Sequence, residues 1–232
     1  MKIRTERVGR VYDESYALVD ATLTFEPGTS TAVLGANGAG KSTLLGLLSS
    51  ALRPSEGEVY FGLVPGSRAG AETRACIGYV GHRPMVYSDL TARENLDFFA
   101  KIYSQSTLLT DAVLEKVGLS HAADRMASTF SRGMLQRLAI ARALLHEPSI
   151  LLLDEPFTGL DLAGVERAAR LFVGARERGA TVVWVTHDLE LSEPFVDHVV
   201  VLRHGRVTFQ GRRSRPLIED YRLYAQQGGA VA

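Results

Sequence analysis

The sequence lacks the features of a disulfide scaffold, a membrane span or a polyelectrolyte-binding protein. Its 232 residues include a single cysteine, Cys76, so no internal disulfide can form and a reducing compartment is expected. Cys76 stands beside Ile77 near an apolar strand and reads as a packing residue. Lysine plus arginine (26) equals aspartate plus glutamate (26), which leaves no overall charge to draw nucleic acid or an anionic lipid surface. No apolar run approaches the roughly 20 residues of a membrane helix. The longest, such as Ile150 to Leu153 and Val199 to Leu202, are of strand length. Residues Met1 to Arg7 are charged with no apolar run behind them, so no secretory signal is expected and a soluble intracellular chain is. No repeat, low-complexity tract or linker interrupts the sequence. With 46% hydrophobic residues it can fill one core, so residues 1–232 read as a single domain with a polar tail over about 212–232.

What is present alternates between two periodicities. Residues 1 to 34 are β-rich, break at Pro27-Gly28 and end in the apolar stretch Thr31-Ala32-Val33-Leu34. A glycine-rich loop follows, then an apolar helix through Leu44, Leu45, Leu47 and Leu48 that stops before Pro54. Glu58 to Phe61 and Ile77 to Val80 read as strands. Thr91-Ala92-Arg93-Glu94 is a capping box opening a helix with Leu96, Phe98, Phe99 and Ile102. Further helices are predicted from Thr107 to Val117 and from Arg132 to Leu145, so residues from about 83 to 146 form a helical insert. A strand at Ile150 to Leu153 and a helix from Leu162 to Arg178 follow. Thr181 to Val185, apolar on both faces, reads as a buried parallel strand carrying Trp184 into the core. His198 to Phe209 reads as a hairpin turning at His204-Gly205. Beyond Gly211 the chain is expected to fray, apart from a short helix around Leu217 to Tyr224, with Arg212-Arg213-Ser214-Arg215 as a solvated basic run. Phe98, Phe99 and Tyr103 read as a helix-packing stripe, part of it available to a partner.

Gly35-Ala36-Asn37-Gly38-Ala39-Gly40-Lys41-Ser42, with Thr43 next, fits the phosphate-binding loop at every required position and lies between a strand and a helix. Glycines let backbone N–H groups curl around phosphate oxygens, and the helix that follows presents its positive end. Lys41 suits the β- and γ-phosphates, and the Ser42 hydroxyl suits Mg²⁺. The second anchor is Ile150-Leu151-Leu152-Leu153-Asp154-Glu155. There an apolar strand delivers Asp154 to the sheet edge for water-mediated metal contact and Glu155 to activate a hydrolytic water.

Between these anchors lies Phe130-Ser131-Arg132-Gly133-Met134-Leu135-Gln136-Arg137, followed by Leu138-Ala139-Ile140-Ala141-Arg142. This resembles the signature segment of ATP-binding cassette (ABC) proteins. Pro156-Phe157-Thr158-Gly159-Leu160-Asp161 resembles their D-loop, and Val185-Thr186-His187-Asp188 their switch-histidine loop. Tyr12 resembles the aromatic that stacks on adenine. The motifs fall in the family's order over about residues 3 to 210. The resemblance implies an α/β fold: a P-loop NTPase core with an N-terminal antiparallel β subdomain and an inserted α-helical subdomain. It implies ATP and Mg²⁺ as cofactors and a head-to-tail homodimer in which Ser131, Gly133 and Asp161 face nucleotide held by the other copy. His187 would touch the γ-phosphate. A separate transmembrane permease is implied, with this chain peripheral on the cytoplasmic face of the membrane and no nucleic-acid partner.

Where the family usually has Gln, the run Gly78-Tyr79-Val80-Gly81 is followed by His82, which the resemblance places at the nucleotide and its metal. His82, Asp89-Leu90-Thr91-Ala92-Arg93-Glu94-Asn95-Leu96 and the Phe130-to-Met134 variant are similar to haem-exporter cassettes of cytochrome c maturation. Other exporter cassettes for drugs, lipids or ions share much of this pattern. A soluble non-transport ABC ATPase is a further alternative, which usually carries two cassettes or a coiled-coil insertion, and a P-loop kinase is another, which would not need the signature or the Asp-Glu pair.

Overall fold

The computed structural model describes residues 1–226. Strands β1 (Ile3–Tyr12) and β2 (Ser15–Phe25) pair through a two-residue turn. Its central residues, Asp13 and Glu14, both adopt left-handed backbone (φ 42° and 69°), the geometry that matches the twist of the flanking strands. β3 (Ser30–Leu34), α1 (Lys41–Leu48), β4 (Glu56–Phe61), β5 (Val64–Pro65), α2 (Ala71–Ala75) and β6 (Ile77–Val80) come next. The helical insert holds α3 (Ala92–Ile102), α4 (Leu109–Lys116) and α5 (Arg132–Leu144). The chain then returns through β7 (Ile150–Asp154), α6 (Leu162–Glu177), β8 (Thr181–Val185), α7 (Leu189–Ser192), β9 (His198–Arg203), β10 (Arg206–Arg212) and α8 (Leu217–Gln226).

Two sheets result. The first is antiparallel in the order β2-β1-β4-β5. The second runs β10-β9-β3-β8-β7-β6 and is parallel except at β10, which pairs antiparallel with β9. Side-chain alternation divides the core. Ile150, Leu152, Val183, Val185 and Val200 face α1 and the antiparallel sheet, whereas Leu151, Leu153, Val182, Trp184, Val199 and Val201 face the helices. A buried parallel sheet must be apolar on both faces, and these runs are. Among the described residues, no helix is long and apolar enough to cross a membrane.

Trp184 anchors the helical side. Phe157, Phe172 and Phe195 lie 5.5, 5.4 and 6.2 Å from it, centroid to centroid. Its Nε1 donates to Ser30 Oγ at 2.6 Å, so its one polar atom is satisfied where it is buried. In the insert, Thr91 and Glu94 form the expected capping box on α3. The fully buried Asn95 amide donates to Tyr87, Leu90 and Thr91 carbonyls and accepts from Tyr87 N, which fixes the loop before α3. The stripe predicted on α3 divides: Phe99 packs inward, Tyr103 stacks on His146 (3.9 Å), and Phe98 is 40% exposed. Cys76 ends α2 half-buried, its Sγ donating to Glu72 O at 3.4 Å.

The end of the chain carries the expected short helix, α8, but the segment before it does not fray. β10 continues to Arg212, and α8 docks on β9 and β10 with Leu217 fully buried and Tyr224 stacked on Phe209 at 3.9 Å. The basic run stays largely exposed, but it is tied down rather than free. Arg213 pairs with Glu193 at 3.0 Å, and Arg215 with Asp220 at 3.4 Å. The two leucine and tyrosine anchors are too few to stand out in a polar composition, and their hold comes from partners distant in sequence. Residues 227–232 of the predicted tail lie outside the described part of the chain.

Trp184→Ala should cost about 3–5 kcal/mol of folding stability, because it opens a cavity among three phenyl rings and strands Ser30. Denaturant unfolding measures it. A loss under about 1 kcal/mol would show that this cluster does not hold the helical layer to the sheet.

Candidate functional site

The site forms because β3, β8 and β7 are adjacent and parallel, so their C-terminal ends open on the same edge. Val33 and Asp154 both pair with Val185, which sets the three ends level. The loop after β3 carries Gly35 to Ser42, the turn after β7 carries Glu155, and the turn after β8 carries His187. Ligands bind at such an edge in open α/β sheets. β6 is next in order, with Val80 paired to Leu153, and delivers His82 to the same edge.

The glycine-rich loop is seated by close backbone contacts. A Cβ on Gly40 (φ 101°) would lie 2.4 Å from Ala17 O, and one on Gly35 2.6 Å from Leu202 O. Behind the loop, Gly205 N donates to Ala39 O (3.2 Å) and Val19 N to Gly205 O (2.7 Å), so the β9–β10 turn locks it against β2. Gly40 stands before the first turn of α1 with no side-chain cap, and the first helical bond is Leu44 N to Gly40 O at 2.9 Å. The N–H groups of Lys41, Ser42 and Thr43 therefore have no intrahelical acceptor and form a positive helix end. Lys41 Nζ donates to Gly35 O (2.7 Å) and Ala36 O (2.9 Å). Burial lowers the Lys41 pKa from its usual value, while Glu155 and Asp154 oppose that shift.

A cleft of about 610 Å³ brings together Tyr12, Asn37, Gly38, Gly40, Lys41, Ser42, Thr43, His82, Asp154, Glu155 and His187. Ala36 and Gly35 line a neighbouring cleft with Asn37 and His187, and Ala39 is buried behind the loop. Asp154 and Glu155 both have raised pKa values, in each case chiefly from burial. His82, Lys41 and His187 pull Asp154 back down; His187 does the same for Glu155, which Asp154 pushes up. Glu155 holds a left-handed backbone (φ 52°), fixed by its N–H to Val185 O at 2.8 Å. Such backbone in a non-glycine residue costs about 1–3 kcal/mol and is concentrated at functional sites. Its Oε1 is buried without a hydrogen-bond partner and lies 3.7 Å from His187 Nε2. An oriented carboxylate with a free lone pair is able to accept a proton from water.

Ser131, Gly133 and Asp161 are not among the residues lining this cleft. Ser131 caps α5, its Oγ accepting from Met134 N at 3.3 Å, and Asp161 caps α6 through Gly164 N at 2.8 Å. A Cβ on Gly133 would sit 2.6 Å from Gly159 O, so the signature and the D-loop are packed backbone to backbone. Gln136, buried, donates from Nε2 to Pro156 O at 2.9 Å and ties α5 to the turn that carries Glu155. Neither this bond nor the backing of Tyr12 by Arg10, whose guanidinium lies 4.6 Å from the ring centroid, was legible beforehand. Both join residues of ordinary type that only the fold brings together.

The fold and the loop define a P-loop nucleotide-binding protein. A model of the family described as "ABC transporter" matches residues 18–158, and the chain belongs to that family. It is 37% identical over 207 residues to the bacitracin transport ATP-binding protein BcrA of Bacillus licheniformis, covering 88% of this chain and 68% of that protein. To the cobalt import ATP-binding protein CbiO of Rhodobacter capsulatus it is 36% identical, covering 92% and 78%. Among solved structures, the ATP-binding subunit of an ABC transporter superposes with a TM-score of 0.87 at 26% identity, covering 99% and 96%. A dimeric ATP-binding cassette bound to ADP and phosphate superposes with a TM-score of 0.82 at 28% identity, covering 92% and 100%.

Gly40→Ala should lower nucleotide affinity by at least about tenfold, since the new methyl meets a carbonyl and left-handed backbone at once. Calorimetric titration with ATP measures this; unchanged affinity would mean that the contact with Ala17 does not shape the loop.

Proposed function

We propose that this chain hydrolyses ATP as the cassette subunit of an ABC membrane transporter, working as a head-to-tail pair beneath a separate permease on the cytoplasmic face of the membrane. The observation that carries the pairing is spatial. The phosphate cleft collects Lys41, Ser42, Asp154, Glu155 and His187 from one chain but none of the signature residues. Ser131 and Gly133 open α5, a 13-residue helix with its own positive end. A second copy supplies that end to the γ-phosphate, with Asp161 beside it, so each nucleotide is gripped by two helix N-termini. The dimeric cassette bound to ADP and phosphate supports this reading.

Tyr12 offers a ring to adenine, and the N–H groups from Gly35 through Thr43 hold the phosphates, with Gly38 bending the loop. Ser42, Asp154 and His82 offer a hydroxyl, a carboxylate and an imidazole at one edge of the cleft. Among the described residues no three His, Cys, Asp or Glu side chains could hold a metal unaided. That fits Mg²⁺, which keeps waters and borrows phosphate oxygens, and which would neutralise charge on the phosphates when bound. Glu155 takes a proton from the attacking water, His187 holds that water and the γ-phosphate in line, and Lys41 stabilises the charge that develops.

Glu155→Gln should retain ATP binding while turnover falls about a thousandfold or more, trapping ATP-dependent dimers. Adding Ser131→Arg should return the protein to monomers that still bind ATP. Size-exclusion chromatography with nucleotide separates these states, and a nucleotide-loaded Glu155→Gln protein that stayed monomeric, alone and with its permease, would end the pairing.

For cargo we propose the haem-exporter type of cytochrome c maturation. Three segments support it: His82, the Asp89-to-Leu96 stretch and Phe130-Ser131-Arg132-Gly133-Met134. Cells lacking the chain should lose covalent haem from their c-type cytochromes, visible by haem staining of gels. Normal staining would shift the assignment to another exporter, for drug, lipid or ion. Co-purification with ribosomes in place of a membrane protein would favour a soluble ABC ATPase.

A further inference from the structure

The segment after His187 is built on the end of the chain. Asp188 caps α7 through Leu191 N (3.1 Å), and Ser192 Oγ donates back to Asp188 O at 2.9 Å. The 3₁₀ turn Glu193–Phe195 continues directly from α7. One oxygen of Glu193 accepts from Arg213 Nη1 at 3.0 Å, and the other accepts from Leu217 N, the first residue of α8, at 3.1 Å. Arg213 is held on a second side by Val196 O, 3.1 Å from its Nε, and its backbone N–H reaches Asp197 O at 2.9 Å. The pair is 28% exposed on each partner, so it is screened less than a surface ion pair. His187, by contrast, has a side chain 60% exposed, with its Nε2 3.7 Å from Glu155 Oε1. Ile218 and Tyr221 of α8 share a cleft of about 310 Å³ with His187, Leu189 and Asn37.

We propose that Glu193 and Arg213 are positioning residues for hydrolysis: through them the C-terminal helix holds α7, and so sets where the His187 imidazole stands over the phosphates. This rests on the reading of His187 given above. The imidazole has little packing of its own, so its placement is inherited from the backbone of residues 186–193. Beyond the core packing of Phe195 on Trp184, the polar tie between that backbone and α8 is the Glu193 carboxylate. Releasing the carboxylate leaves the seating of Lys41, Ser42 and Thr43 in place, because β2 and the β9–β10 turn hold that end of the loop. The expected signature is lost turnover with retained nucleotide binding.

The test is a double-substitution cycle on the full chain with its permease. Arg213→Ala should lower kcat about tenfold with KM for ATP within about twofold, and Arg213→Lys should restore most of it. In a His187→Ala background, Arg213→Ala should cause no further loss in single-turnover rate, since the group it positions is gone. An unchanged kcat, or the same fold loss with and without His187, would overturn the proposal. If Arg213→Ala does not fold, Glu193→Gln keeps the shape and carries the same two outcomes, with ATP affinity as the check on folding. Undiminished turnover in His187→Ala alone would remove the role of His187 and this inference with it, whereas equal losses remove only the inference.

Discussion

Everything at the phosphate edge depends on one alignment: β3, β8 and β7 run parallel, side by side, with their ends in register. The phosphate loop lies more than a hundred positions before the Asp154–Glu155 pair, and His187 lies well beyond that pair, yet pairing of Val33 and Asp154 with Val185 leaves them on one rim. The alignment is enforced by side chains. A one-residue slip of β7 would carry Leu151 and Leu153 from the helical face to the α1 face, and each face is packed for the residues it holds. Chemistry is thus positioned by the same apolar alternation that closes the core.

Charge at the rim is arranged so that neither sign is satisfied alone. Lys41 is partly stripped of water and leans on two carbonyls, while Asp154 and Glu155 are partly stripped of water beside it. Burial disfavours each charge separately and strengthens their mutual attraction. A polyanion at this rim is drawn by Lys41 and the open end of α1 and repelled by the two carboxylates. The loop that receives it needs no rearrangement to form, because Ala17, Leu202 and Gly205 already fix its backbone.

The loop, the acidic pair and the longer strands and helices were legible because each is local: a glycine spacing, an apolar run ending in two acids, a period that changes from two to three and a half; the short β5, α2 and α7 were not. Thr91 and Glu94 announce their helix within four residues. Trp184 was legible as core from its β-branched neighbours, though not its three phenyl partners. What escaped was long-range. Leu217 is indistinguishable from a solvent-exposed leucine in a polar tail until β9 and β10 are placed beneath it. Arg213 reads as surface charge until Glu193 is brought beside it. Gln136 looks like any helix glutamine until α5 packs on the turn after β7. Ser131, Gly133 and Asp161 were found by motif, and within one chain they serve as helix caps and close packing positions.

The seating of Trp184 has an optical consequence. It is the only indole in the chain, it is almost fully enclosed, and it lies on β8 three residues before His187. Its emission therefore comes from a single dry environment, with a hydroxyl on its nitrogen and phenyl rings around it. Dissolved quenchers should barely reach it in the native protein, and its spectrum should redden only when the helical layer parts from the sheet. The molecule carries its own unlabelled reporter on the strand that leads to the phosphate rim.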